Sequence, residues 1–72
     1  MRMVKAGDII RHYNGDEFVV KELCRIEATL QTGVIYQSTK MGFDTLWVRP
    51  LSEIFEIVTY NSEKVSRYQV VK

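Results

Sequence analysis

Residues 8–20 read Asp8-Ile9-Ile10-Arg11-His12-Tyr13-Asn14-Gly15-Asp16-Glu17-Phe18-Val19-Val20, two β-prone runs joined by an Asn-Gly pair. Asn-Gly favours positive φ at both central positions of a type I′ turn, whose twist matches the strands it connects. The stretch predicts a hairpin, with a first strand over Asp8–Tyr13 and a second from Glu17 to about Ala28. On the second strand Phe18, Val20, Cys24 and Ile26 fall on one face, and Val19, Lys21, Leu23, Arg25 and Glu27 on the other. Val19 and Leu23 blur that alternation, which points to a strand that bends or is covered on both sides.

Outward from this hairpin, Gly7, Thr32-Gly33, Gly42 and Asn61-Ser62 punctuate the chain at strand-sized intervals. A third strand is expected over Val34–Thr39, a loop over Lys40–Asp44 and a fourth strand over Thr45–Arg49. Leu51, Ile54, Phe55 and Val58 recur at helical spacing, with Ser52 placed to cap and Glu53 near the positive end of the dipole. The β-branched Ile57, Val58 and Thr59 restrict the helix to one short turn near residues 51–56. A last hairpin would pair Ile57–Tyr60 with Ser66–Val71 across Asn61–Val65. Together these elements predict an all-β domain spanning residues 1–72, a small SH3-like barrel of five or six short strands. An OB-type barrel would need more residues and a longer helix.

Length and charge narrow the functions open to such a domain. Seventy-two residues build one small core, and neither a disulfide framework nor zinc-type spacing supports it. A core of that size makes a homodimer plausible. Ten basic and nine acidic side chains give a net charge of +1, without the basic excess of a dedicated duplex-DNA binder. No apolar run reaches membrane-spanning length and no signal peptide is legible, so the expected setting is the cytoplasm, away from membranes.

Leu46-Trp47-Val48-Arg49-Pro50 holds the only tryptophan and the only proline. By strand parity Leu46 and Val48 form one pair, expected to face the core. Trp47 and Arg49 form the other, about 6.6 Å apart and expected to face outward. Pro50 cannot donate to a sheet ladder, so the strand ends there or lies at an edge. Trp47 reads either as a plug for one end of the barrel or as a stacking platform. Arg49 reads either as a ligand-facing guanidinium or as half of an ion pair with Glu27, Glu53 or Glu56. His12 is a hydrogen-bonded structural residue or a ligand contact. Arg11 and Arg49, if they converge, make a fork for phosphate or carboxylate. Tyr36 could add a hydroxyl and Arg67 a third cation.

Little in the chain argues for catalysis. Cys24 lies among Val20, Leu23 and Ile26 and reads as core rather than as half of a Cys–His dyad. The chain shows neither a glycine-rich phosphate loop nor metal-ligand spacing, so no cofactor is expected and an enzyme is disfavoured.

The blocks Arg11-His12-Tyr13-Asn14-Gly15, Val34-Ile35-Tyr36, Trp47-Val48-Arg49-Pro50, Ile54-Phe55-Glu56 and Val65-Ser66-Arg67-Tyr68 stand in an order that resembles a family of small bacterial and phage domains of unassigned function. Arg25-Ile26-Glu27 stands where that family carries a His-Ser-Glu-like block, and Ser66 where it carries proline. The resemblance implies the fold and aligns the residues, and it implies no reaction. The residues themselves suggest a non-enzymatic module holding a small anionic, nucleotide-like ligand in a cleft of Arg11, His12, Tyr36, Trp47, Arg49 and Arg67, and sequestering it. A peptide- or protein-binding SH3-like adaptor and a single-stranded nucleic-acid binder remain the alternatives.

Overall fold

The computed structural model describes residues 3–40 and 45–72, so most of the loop expected over Lys40–Asp44 lies outside the described residues. Seven strands and one helical turn succeed one another along the chain: β1 (Ile9–His12), β2 (Glu17–Arg25), β3 (Thr32–Ser38), β4 (Trp47–Pro50), α1 (Leu51–Ile54), β5 (Ile57–Tyr60), β6 (Glu63–Ser66) and β7 (Tyr68–Val70). Five of them form an antiparallel sheet in the order β4-β3-β2-β1-β7, and β5 and β6 form a separate two-stranded sheet. The domain is all-β, as the sequence predicts; among the described residues there is one short helix and no closed barrel. The main sheet ends in two edge strands, β4 and β7.

The first hairpin forms, with a different turn. The Gly15 N–H donates to the His12 carbonyl at 2.8 Å, and the His12 N–H to the Asp16 carbonyl at 2.8 Å. Gly15 has φ +99°, whereas neither Tyr13 nor Asn14 has a positive φ. The loop is therefore three residues long and closed by a left-handed glycine. Asn14 supports it with its side chain, Oδ1 accepting from the Asp16 N–H at 2.9 Å.

Both central positions are left-handed instead at Asn61 and Ser62, with φ 52° and 66°. That two-residue turn fixes the register of the last hairpin, Ile57 opposite Ser66 and Tyr60 opposite Glu63. The expected partner Ser66–Val71 is corrected accordingly. β7 pairs with β1, placing His12 opposite Tyr68 and Ile10 opposite Val70. Ser62 sits in a region that costs an L-residue roughly 1–2 kcal/mol. Ser62→Gly should therefore stabilise the fold by about 1 kcal/mol or less once the added freedom of the unfolded chain is subtracted, seen as a higher urea midpoint.

β2 bends because its register with β3 shifts between Val20 and Glu22, leaving Lys21 as an extra residue. Before the bulge Val20 lies opposite Tyr36; after it, Leu23 lies opposite Val34 and Cys24 opposite Gly33. Phe18, Val20 and Leu23 thus share the core face, and Cys24 moves to the other. This is why Val19 and Leu23 fit no single alternation. A Cβ on Gly33 would lie 2.9 Å from Cys24 Sγ and 3.0 Å from Ile26 Cγ1. Gly33→Ala should cost about 1–3 kcal/mol, and adding Cys24→Ala should recover part of the loss in a chemical denaturation series.

The fourth strand reverses the expected orientation. Tyr36 stands opposite Trp47, Val34 opposite Arg49 and Ile35 opposite Val48. Opposed residues share a face, so Trp47 and Arg49 lie on the core side of the sheet and Val48 on the other. Leu46 and Val48, expected inside, are 59% and 58% exposed. The cause is the helical turn just beyond the strand. α1 packs against β3 and β4 and brings Leu51, Ile54 and Phe55 to the core that Leu46 and Val48 would have filled. Pro50 occupies the N-cap position of α1 without a side-chain cap, so Ser52 lies inside the helix and does not cap it. The buried core is Val4, Ile10, Val20, Val34, Tyr36, Ile54 and Tyr68, with Phe18, Leu23, Leu51 and Phe55 packed on it.

Candidate functional site

Four of the six residues singled out from the sequence gather on the core side of the sheet. Pairing of β1 with β7 sets His12 against Tyr68, their rings 5.0 Å apart and edge-on. Tyr68 in turn meets Tyr36 edge-on at 5.8 Å, and its hydroxyl donates to the Tyr36 oxygen at 3.4 Å. The Arg49 guanidinium, carried by β4, lies close enough to the Tyr36 hydroxyl for that group to favour its charged form. Arg67, between β6 and β7, lies close enough to both His12 and Tyr68 to repel the imidazolium and to favour the phenolate.

Each arginine has a glutamate partner. Arg49 Nη1 contacts Glu53 Oε1 at 2.9 Å, and Arg67 Nη2 contacts Glu56 Oε1 at 2.6 Å. Glu53 belongs to α1 and Glu56 lies just after it, so one helical turn supplies both carboxylates. The Arg49 and Arg67 side chains are 32% and 23% exposed, the glutamates more so. Such pairs contribute little, about 0–1 kcal/mol each. Both Nε atoms, in contrast, are out of solvent contact and have no hydrogen-bond acceptor. A buried donor left in that state costs about 1–3 kcal/mol. In Arg67 the side-on fork of Nε and Nη2 is therefore only half used.

The same contacts set the titration of the cluster. Burial pushes the Tyr68 phenol up, reinforced by its bond to Tyr36. The Tyr36 hydroxyl holds Arg49 charged, outweighing its partial burial. Burial depresses His12, and repulsion from Arg67 adds to it, against the stabilising Asn14 side chain. His12 Nδ1 also accepts the Asn14 N–H at 3.2 Å, which leaves the neutral ring its proton on Nε2. A histidine with a lowered folded-state pKa binds its proton more readily when unfolded. Its stabilising contribution is complete above the ordinary value of 6.5 and is lost as pH falls through the lower folded-state value. Stability measured across that window should fall for the native chain and fall less for His12→Gln.

Arg11 and Trp47 lie at the margins of this cluster, Arg11 at the cavity beside His12 and Trp47 across from Tyr36 at the sheet edge. Arg11 lies opposite Glu17 and Gln69 on the other face and binds Glu17 Oε2 through Nε and Nη2 at 3.0 and 2.7 Å. The structure does not bring Arg11 and Arg49 together. Trp47 is 44% exposed at the sheet edge beside Tyr36, so it plugs no core. Tyr68 was missed by sequence reasoning. Its signal was the Arg67-Tyr68 pair, in which strand parity turns one side chain inward whenever the other turns out.

A cavity of about 230 Å³ adjoins the cluster at His12, lined by Arg11, His12, Tyr13, Tyr60, Ser66 and Gln69 together with Gly15 and Val65. A second, of about 380 Å³, is bordered by Met3, Phe55, Gln69 and Val70. Neither of these two is lined by Tyr36, Trp47, Arg49, Arg67 or Tyr68. Among the described residues, no three His, Cys, Asp or Glu side chains gather as a metal site, and no helix is long and apolar enough to cross a membrane. Cys24 is half-buried opposite Gly33.

The fold has a counterpart of known structure. A crystal structure of a DUF1653 protein from Bordetella bronchiseptica superposes with a TM-score of 0.79, covering 96% of this chain and 87% of that one at 23% identity. At that identity the likeness concerns the fold alone. No curated protein matches the chain. The sequence profile of the DUF1653 proteins of unknown function matches residues 8–70, nearly the whole described sheet and the hairpin, and on that match the chain belongs to the DUF1653 family.

Proposed function

We propose that this protein is a non-enzymatic binding module for a small oxyanion-bearing ligand, nucleotide-like in class, held by Arg49 and Arg67 beside the Tyr36–Tyr68 hydroxyl pair. The observation that carries the reading is the pair of buried Nε donors with no acceptor. Native proteins satisfy nearly all such donors, and Arg49 and Arg67, which both act on His12 and Tyr68, each keep one open for an incoming acceptor. A phosphate or carboxylate can take Nε and a terminal nitrogen together, the bidentate geometry that neither glutamate uses. Glu53 and Glu56 then act as exchangeable partners, weakly held and half-exposed. With both glutamates in place the four charges cancel, so an anionic ligand finds net positive charge only by displacing a carboxylate, at the cost of a weak ion pair. Sequestration of the ligand requires nothing further of the chain.

Titration of inorganic pyrophosphate, monitored by backbone amide shifts, tests the reading. Saturable shifts at Tyr36, Arg49, Arg67 and Tyr68 are expected. Shifts that grow linearly and spread over all exposed basic residues would contradict it.

One observation favours a second reading. β4 is an edge strand whose Leu46-Trp47-Val48 segment is exposed, an arrangement suited to pairing with an extended peptide or with β4 of a second copy. Dependence of the sedimentation coefficient on protein concentration, abolished by Val48→Lys, is the outcome that this reading requires.

A further inference from the structure

We infer that the cavity between the β1–β2 turn and the β5–β6 hairpin seats a planar heterocyclic ring, the base of the nucleotide-like ligand whose phosphate engages the arginines. This deepens the proposed function and rests on it for the phosphate, though not for the ring.

The first argument is shape. At about 230 Å³ the cavity lies below the roughly 300–1,000 Å³ of ordinary drug-sized sites. It suits one ring system, and it is too small for a dinucleotide or a folded peptide. The second is chemistry. Three aromatic rings stand in sequence along it: His12 to Tyr13 at 4.1 Å, and Tyr13 to Tyr60 at 4.7 Å. Tyr13 and Tyr60 are each more than a third exposed, so ring faces remain open for stacking. Stacking on an aromatic face is tolerant of base identity.

Selectivity would come from Gln69. It lines the cavity from β7, is exposed, and its carboxamide makes no hydrogen bond among the described residues. An amide offers a donor and an acceptor side by side, the pattern that pairs with the edge of adenine. Ser66 is less available, because its hydroxyl already donates to the Tyr68 carbonyl at 2.6 Å.

The third argument is continuity. His12 lines the cavity, packs on Tyr68 and feels the charge of Arg67. Ser66 and Tyr68 flank Arg67 in the chain. His12 is the one described residue common to the cavity lining and the cluster, so a molecule that fills the cavity and reaches the guanidiniums has to pass it.

Among the described residues, the hairpin that carries Tyr60 pairs with no strand of the main sheet. It is tied to that sheet by the Tyr13–Tyr60 contact and by the Tyr13 N–H bond to the Arg67 carbonyl at 3.1 Å, while the Arg67 N–H bond to the Glu56 carbonyl at 2.8 Å closes the base of the hairpin itself. A ring in the cavity would add a further tie at this seam.

The test uses the full chain and three probes: inorganic phosphate, adenosine and adenosine monophosphate. Calorimetry and amide shifts are recorded for the native protein, Tyr60→Ala and Gln69→Ala. Adenosine monophosphate should bind about tenfold or more tighter than phosphate, consistent with one stacked base. Adenosine alone should move the Tyr13, Tyr60 and Gln69 signals. Either substitution should bring the monophosphate down to the affinity of phosphate and leave phosphate binding unchanged. Gln69→Ala keeps the test valid if Tyr60→Ala loosens the hairpin. Equal affinity for phosphate and the monophosphate, with no adenosine shifts at these residues, would overturn the ring site and leave the anion site standing. Adenosine shifts there without any phosphate binding would support the ring site and sink the anion reading.

Discussion

Replacing Arg49 and Arg67 together by glutamine is expected to weaken pyrophosphate binding by about two orders of magnitude or more. Each charge-assisted hydrogen bond to a guanidinium contributes roughly 1.5–3 kcal/mol, and tenfold in affinity is about 1.4 kcal/mol. The fold should tolerate the change. Both arginines are partly exposed and their pairs with Glu53 and Glu56 contribute little. Two further variants separate the causes. Arg67→Lys keeps the charge but removes the fork of Nε and Nη2, so it should lose most of the affinity. Glu56→Gln removes the resident partner of Arg67 and should tighten binding. If Glu56→Gln weakens binding, the glutamate is part of the site and not a competitor. Isothermal titration at fixed ionic strength reads all four proteins.

The second large effect concerns stability. Ile54→Ala should cost about 2–5 kcal/mol, because Ile54 is fully buried and the cavity it leaves is bounded by strands that cannot collapse onto it. A chain of 72 residues has roughly 4–11 kcal/mol in total, so this single change removes a large share. Because Ile54 anchors the turn that supplies Glu53 and Glu56, loosening it also releases the carboxylates from both arginines. Val48→Ala is the control. Val48 is 58% exposed, and its replacement should stay within about 0.5 kcal/mol. Urea midpoints decide between them. A Val48 loss larger than the Ile54 loss would return Val48 to the core and reverse the orientation of β4.

That orientation is where sequence reasoning and structure part. Period two correctly grouped Trp47 with Arg49 and Leu46 with Val48, but parity does not say which pair faces inward. Hydrophobicity favoured Leu46 and Val48. The decision was made instead by α1, whose Leu51, Ile54 and Phe55 reach the same space. The helical stripe 51-54-55 was legible, and its consequence for the preceding strand was not. Turn chemistry shows a similar division. Asn14-Gly15 did mark a hairpin, because an Asn-Gly pair suits several tight loops. The type I′ geometry went to Asn61-Ser62, where the two-residue spacing between Tyr60 and Glu63 demanded it. The bulge at Lys21 has no residue signature beyond the disturbed alternation at Val19 and Leu23.

Of the candidate site, His12, Tyr36, Arg49 and Arg67 come together, although they lie on three strands and a connection up to 55 positions apart in sequence, from 12 to 67. Tyr68 links them, its ring and hydroxyl touching His12 and Tyr36. Its role could not be read without knowing that β7 returns to β1. Arg11 fell away for a local reason. In β1 it points opposite to His12 and meets Glu17 across the hairpin. Tyr60 belongs to none of the family-like blocks, and only the docking of the last hairpin beside Tyr13 brings it to the cavity.

The chain has five arginines, and proton–nitrogen correlation spectra resolve the side-chain Nε–H of each at mildly acidic pH. Pyrophosphate should shift the Nε–H signals of Arg49 and Arg67 saturably, with one shared dissociation constant, and slow their exchange with water, while that of Arg25, which lines neither cavity, stays in place. If Arg49 and Arg67 respond no differently from Arg25, or respond without saturating, their two open donors are not an anion site and the proposed function is wrong.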